Sequence, residues 1–178
     1  ETLSAVEVKD VQIVLGHVGI YRSLVQAAAI GAAAEAKLHD AVQRKAYDEI
    51  DEVLSSVVDE EHLRSLLSTL TRLSGDESIL LDAVQKFSDA PLDVKEKLEE
   101  LTIISEAVKA RTPEVVICFD LCELRGYDYH TGIVFAAYTP AYGRAIAKGG
   151  RYDSIGEVFG RSRPASGFDT DLKTLVTL

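Results

Sequence analysis

The segment "ELRGYDYHTGIVF", Glu123–Phe135, gathers an arginine, two tyrosines, an aspartate and a histidine around Gly126. Arg125 offers a planar fork of donors that can take a carboxylate in bidentate fashion. Tyr129 and, in "GGRYD", Tyr152 offer hydroxyls that donate or accept, and His130 can do either. Each residue also has a plainer reading. Arg125 can pair with Glu123, which shares its face if the strand continues. Tyr129 and Tyr152 can be core aromatics with satisfied hydroxyls, and His130 a packed, hydrogen-bonded side chain. Asp128 is expected to hold the turn or Arg125 in place, and Gly149 and Gly150 to permit close backbone approach or a bulge.

Other chemistries find no support in the spacing. "KGGRYD" lacks the G-x-x-x-x-G-K frame of a phosphate loop. His17, His39 and His62 have no partner cluster, so no metal or catalysis is assigned to them, and no Ser-His-Asp or Cys-His arrangement can be built. Cys118 and Cys122, on one continuous strand, would sit about 13 Å apart, too far for a disulfide and without zinc-finger spacing. Both are expected to be buried, reduced thiols. No catalytic residue, metal or cofactor is assigned.

These residues need a scaffold, and the 178-residue chain can bury one good core with a smaller appended unit. The net charge is −10, of which Ala34–Thr112 carries −8; a field of that sign repels a phosphate backbone, so tRNA is not an expected partner. No apolar run approaches the roughly 20 residues of a membrane helix. The chain starts at Glu1 and contains no methionine, so it reads as part of a longer protein.

Three regions follow from the pattern. In 1–33, "SAVEVKDVQIVLG" reads as a strand, and a helix places Val18, Tyr21, Leu24, Val25 and Ala28 on one face with Gly31 as its C-terminal cap. Residues 34–112 read as helices throughout. The segment Ala34–Val58 is helical, with Asp40 and Arg44 set to pair. The stripe Leu63, Leu66, Leu67, Leu70 and Leu73 is stopped by Gly75. A second stripe is Ile79, Leu80, Ala83, Val84 and Phe87, and Pro91 opens a helix with Val94, Leu98, Leu101, Ser105 and Val108 inward. In 113–178 the period changes: "EVVICFDLCEL" and "TGIVFAAYT" read as strands, "RAIAKGG" as a hairpin partner across "TPAYG", and "GFDTDLKTLVTL" as a glycine-led entry into a helix. The class is α+β, with a helical insertion dividing a sheet domain.

Three motifs, in order, carry a resemblance. "RGYDYHTGIVF" resembles the R-G-L-D-Y-Y-T-G-T-V-F segment of histidyl-tRNA synthetases, "GGRYD" matches their second histidine-binding signature, and "GRSRPASGFDTDLKTL" resembles their P-A-V-G-F-A-x-G-L-E-R-L stretch. The resemblance implies a class II aminoacyl-tRNA synthetase-like antiparallel sheet flanked by helices. On that reading, 1–33 is the first visible part of the core, 34–112 a helical insertion, and 113–178 the remainder of the core. It also implies a histidine site at Arg125, Tyr129, His130 and Tyr152.

The departures bear on activity. Where the synthetases have a phosphate-binding arginine in a G-L-E-R frame, this chain has Asp171, Lys173 and Thr174. Lys173 is one helical step away, turned by about 100°, and Asp171 beside a polyphosphate would cost about 1–4 kcal/mol. The form "RGY-x-YHTG" resembles the synthetase paralogues that serve as regulatory subunits of short-form ATP phosphoribosyltransferase. That resemblance implies a non-catalytic chain in a hetero-oligomer with the catalytic subunit, self-association as a dimer, histidine as effector in histidine biosynthesis, and a cytoplasmic location. A fragment of a divergent histidyl-tRNA synthetase catalytic domain, or a free-standing amino-acid-binding module, are the alternatives.

Overall fold

The computed structural model describes Leu3 and residues 7–178. Its strands are β1 (Gln12–His17), β2 (Ser74–Gly75), β3 (Val116–Asp120), β4 (Ile133–Thr139), β5 (Tyr142–Arg151) and β6 (Ser166–Thr170). They form one sheet in the order β2-β3-β1-β4-β5-β6. The helices are α1 (Val18–Ala27), α2 (Ala32–Gln43), α3 (Tyr47–Val57), α4 (Glu61–Arg72), α5 (Ser78–Lys86), α6 (Leu92–Arg111) and the short α7 (Leu172–Thr177). The fold is α+β. One strand pair departs from the antiparallel expectation: β3 runs parallel to β1, while β4, β5 and β6 follow antiparallel. β4 and β5 are hairpin neighbours, whereas β1 and β3 are separated by the whole helical stretch, long enough for the crossover a parallel pair requires. Ser4, Ala5 and Val6 of the expected first strand lie outside the described residues.

The stripes read from helical period form the core. Leu63, Leu66, Leu67 and Leu70 of α4 are buried, as are Val94, Leu98, Leu101 and Ser105 of α6. The apolar ones join Tyr21 and Leu24 of α1 and Phe119 of β3 in one cluster. Each such leucine removed from water contributes about 1.5–3 kcal/mol. Helix α6 packs on α1 and β1, covering one side of the sheet. Val84 is a correction: it is exposed, because α5 buries only Leu80 and Ala83. No described helix is long and apolar enough to cross a membrane.

Helix ends differ from expectation for a physical reason. Gly31 does not cap α1; it precedes α2 in extended conformation. The left-handed position after α1 is taken by Ala29, φ 51°. Its N–H donates to Gln26 O at 3.0 Å and that of Ile30 to Val25 O at 3.1 Å, the paired bonds of a Schellman end. Ala34–Val58 is likewise two helices, broken where Lys45 (φ 54°) repeats the motif after α2. Arg44 still pairs with Asp40, and also with Glu49. Gly75 does more than stop α4: with Ser74 it pairs to β3 as an edge strand. The glycine-led segment also contains a strand, β6, before α7 begins at Leu172. Finally, β3 ends at Asp120, so Cys118 and Cys122 do not share a strand. Both are free, Cys122 buried and Cys118 half-buried.

Candidate functional site

A turn between β3 and β4 carries the first signature. Gly126 adopts φ 70°, which suits glycine, and its carbonyl accepts from the N–H groups of Tyr129 (2.9 Å) and His130 (2.8 Å). The turn folds back over the side of the sheet that α6 leaves open. Cross-strand partners share a face, so Val134 and Gly150, and Ala136, Lys148 and Asp169, line up there. Between turn and sheet lies a cavity of about 520 Å³, a size that suits a small-molecule site. Arg125, Tyr129, His130 and Tyr152 all border it, so the structure brings the four residues chosen from sequence to one place.

Their roles differ. Arg125 Nε donates to both Glu123 oxygens (2.9 and 3.0 Å), and Nη2 donates to Glu123 Oε2 and to the Tyr138 hydroxyl (2.6 Å). One edge of the fork is therefore occupied by the ion pair that was the plainer reading, and Nη1 is the nitrogen outside it. Burial pushes the Glu123 carboxyl up, but the bonds and charge of Arg125 outweigh that and hold it below the usual carboxylate range. Glu123, not Asp128, fixes Arg125; Asp128 lies beside a separate groove with Arg22 and Glu35.

His130 is wedged between glycines. Its Nδ1 lies 3.1 Å from Gly126 O, and a Cβ on Gly150 would come within 2.6 Å of His130 Cδ2. The ring thus sets the spacing between turn and sheet while its edge borders the cavity. Tyr129 stacks at a tilt on Tyr152, ring centroids 5.0 Å apart, and meets His130 edge-on at 5.5 Å. Tyr129 remains half exposed. Tyr152 is fixed by its neighbours: its N–H donates to Ala165 O, Arg151 Nε grips both Asp153 oxygens at 3.0 Å, and Thr131 N–H donates to Arg151 O. Gly149 meets the close-approach reading, lying tight against Gly167 and Phe168 of β6.

Sequence reasoning missed Glu123 as a cavity wall, and it missed Lys148, Phe168 and Asp169. The last two sit on β6, an edge strand with no apolar alternation to reveal it. Lys148 was visible only as the residue before "GG". Asp171 has a local role. It does not border the cavity; its Oδ1 accepts from the Lys173 N–H at 2.9 Å and caps α7. His17, left without a role, is the N-cap of α1: Nδ1 accepts from Gly19 N–H at 3.0 Å and Nε2 faces Glu100 at 3.3 Å. Burial holds its pKa below the usual histidine value despite Glu100. His39 contacts Gln43, and His62 lies 3.7 Å from Asp89. Among the described residues no three His, Cys, Asp or Glu side chains converge as a metal-binding group.

The model of the family described as histidyl-tRNA synthetase matches residues 1–175. The chain belongs to this family. Within it, the chain is similar to the ATP phosphoribosyltransferase regulatory subunit of Azotobacter vinelandii, at 52% identity over 100% of this chain and 45% of that protein. The chain thus spans about half the length of the curated relatives it matches. Among solved structures, an ATP phosphoribosyltransferase regulatory subunit/histidyl-tRNA synthetase from Bacillus halodurans aligns with TM-score 0.84 at 24% identity, covering 99% of this chain and 47% of that one. A chain of the ATP phosphoribosyl transferase complex from Thermotoga maritima aligns with TM-score 0.66 at 21% identity, covering 90% and 53%. At these identities the two structures carry the synthetase-like fold alone. The two segments that carry the resemblance at Arg125–Phe135 and Gly149–Asp153 both border the cavity described here.

Proposed function

We propose that the protein containing this chain is the non-catalytic regulatory subunit of a short-form ATP phosphoribosyltransferase, and that the cavity at Arg125, Tyr129, His130 and Tyr152 binds histidine. The observation that carries the reading is a formed cavity of small-molecule size bordered by Arg125, Tyr129, His130 and Tyr152, beside a segment where the resemblance places a phosphate-binding arginine. Thr174 stands in that arginine's place, and Asp171 serves α7 as a cap. The relatives at about half identity bear the regulatory-subunit name, and the Thermotoga chain was solved within a transferase complex. Both support a catalytic subunit as partner. Self-association as a dimer, a cytoplasmic location and the division into core, 34–112 insertion and core belong to the same proposal.

In this reading the carboxylate of histidine meets Arg125 Nη1, and the ring lies against Tyr129 and Tyr152. Regulation follows if histidine binds the active and inhibited states of the complex unequally. The test is phosphoribosyl-ATP formation by a short-form catalytic subunit with and without the full-length protein, at rising histidine. The rate climbs on mixing, histidine suppresses it, and Arg125→Ala weakens the suppression. No change in rate on mixing overturns the proposal.

A further inference from the structure

The turn that carries the site residues is held from behind by two helices. Arg22 of α1 donates through Nη2 to the carbonyls of Tyr127 (2.8 Å) and His130 (3.2 Å), clipping both ends of the turn. The same guanidinium lies 4.8 Å from the centre of the Tyr127 ring. Tyr127 points away from the cavity, into these helices. Its ring meets Tyr21 edge-on at 5.5 Å and His39 of α2 at 5.4 Å. Its hydroxyl donates to Glu35 Oε1 of α2 at 2.8 Å. Burial, with the Glu35 carboxylate beside it, pushes its pKa up to about 12, so it remains a donor at neutral pH.

We propose that Tyr127 is a positioning residue that ties the cavity-side turn to helix α2 through Glu35, so that ordering the turn and ordering α2 are one event. The proposal rests on the histidine reading of the cavity and extends it to regulation. Residues on the two sides of Tyr127 do different work. Arg125, Tyr129 and His130 face the ligand space, and Tyr127, two residues from Arg125, faces the helices. A ligand that orders the turn therefore orders α2 through an aromatic contact and a charge-assisted hydrogen bond. By linkage, the factor by which bound ligand favours an ordered α2 is the factor by which an ordered α2 favours the ligand. Arg22 supplies the fixed half of the clamp from α1, and Glu35 the half that lies on a different helix.

The test compares full-length wild type, Tyr127→Phe, Glu35→Ala and Glu35→Gln by free L-histidine binding and by amide hydrogen exchange over residues 32–43 and 126–130. Tyr127→Phe keeps the ring and loses the bond, so histidine binds about threefold to tenfold more weakly. Turn amides then exchange faster even without ligand, while the melting temperature barely moves. Glu35→Ala matches it; Glu35→Gln, which retains an acceptor, restores most of the affinity. In wild type, histidine protects the 32–43 amides as well as the turn, and in Tyr127→Phe it protects the turn alone. Equal affinity together with unchanged turn exchange in Tyr127→Phe overturns the proposal. If wild type binds no histidine, the site reading falls instead, and the ligand-free exchange comparison still decides the link: faster exchange sustains it, identical exchange removes it.

Discussion

Replacing Arg125 with alanine takes from Glu123 the cation that donates to both of its carboxylate oxygens. The Glu123 side chain is 11% exposed and that of Arg125 53%, so the pair stands between two limits. Removing one partner of a fully buried pair costs about 3–5 kcal/mol, whereas an exposed pair contributes about 0–1 kcal/mol. One buried and one half-exposed partner place the loss at about 2 kcal/mol at neutral pH, a fall of roughly 4–8 °C in melting temperature for a chain of this size. The pH dependence separates this account from simple loss of packing. In wild type the folded Glu123 pKa lies below the unfolded value of about 4.3. Its contribution is present above that value and is lost as pH falls through the folded pKa. Without Arg125, burial acts against only the weaker pull of Lys45, the folded pKa rises above the unfolded one, and the native state binds the extra proton. The variant then loses stability as pH rises through that raised value. The gap between wild type and Arg125→Ala therefore widens from about pH 4 to pH 7, and adding Glu123→Gln to the variant flattens it. Urea unfolding of the three proteins across this range measures the gap. A gap that is constant, or larger at pH 4, would rule out the Glu123–Arg125 ion pair as its source.

Three further outcomes follow from single sites. The Tyr21 hydroxyl is fully buried with no hydrogen-bond partner among the described residues, so Tyr21→Phe raises stability by about 1 kcal/mol in urea unfolding. Ala29 takes a left-handed conformation that costs a non-glycine residue about 1–2 kcal/mol; glycine relieves this but loses about 0.4–1 kcal/mol to chain entropy, so Ala29→Gly raises stability by a net of about 0.5 kcal/mol. Gly150→Ala places a Cβ 2.6 Å from both His130 Cδ2 and Ile133 O, lowers stability by about 1–3 kcal/mol, and shifts the aromatic proton resonances of Tyr129 and Tyr152.

The parts of this fold legible in the sequence are those where one local period or one motif decides. The leucine stripe of α4 and the proline-led start of α6 follow from helical spacing, and both pack as read. The four site residues converge because they lie on two segments that the sheet brings together. What stayed hidden depends on distant partners. The parallel pairing of β1 with β3 joins positions about 100 residues apart, which no local pattern specifies. β2 has two residues, and β6 is a polar edge strand with the burial of a loop. Val84 fits the helical stripe, yet α5 is packed on one narrow line and leaves it outside. Arg125 had two possible acceptors, a ligand and Glu123; Glu123 pairs with it from a turn, its N–H donating to Asp120 O at 3.1 Å, and not from the continuous strand that the sequence suggested. Ala29 shows that a paired-bond helix end forms without glycine where Ile30 can be buried behind it.

On the proposed function, the synthetase-like site persists as a cavity without ATP chemistry. Histidine-dependent exchange of labelled pyrophosphate into ATP by the full-length protein tests this most directly. No exchange above the protein-free background is expected at any histidine concentration, because Thr174 and the cap at Asp171 leave no cation in the place of the third-motif arginine. Exchange that rises with histidine and saturates would contradict it and return the chain to the aminoacylating members of its family.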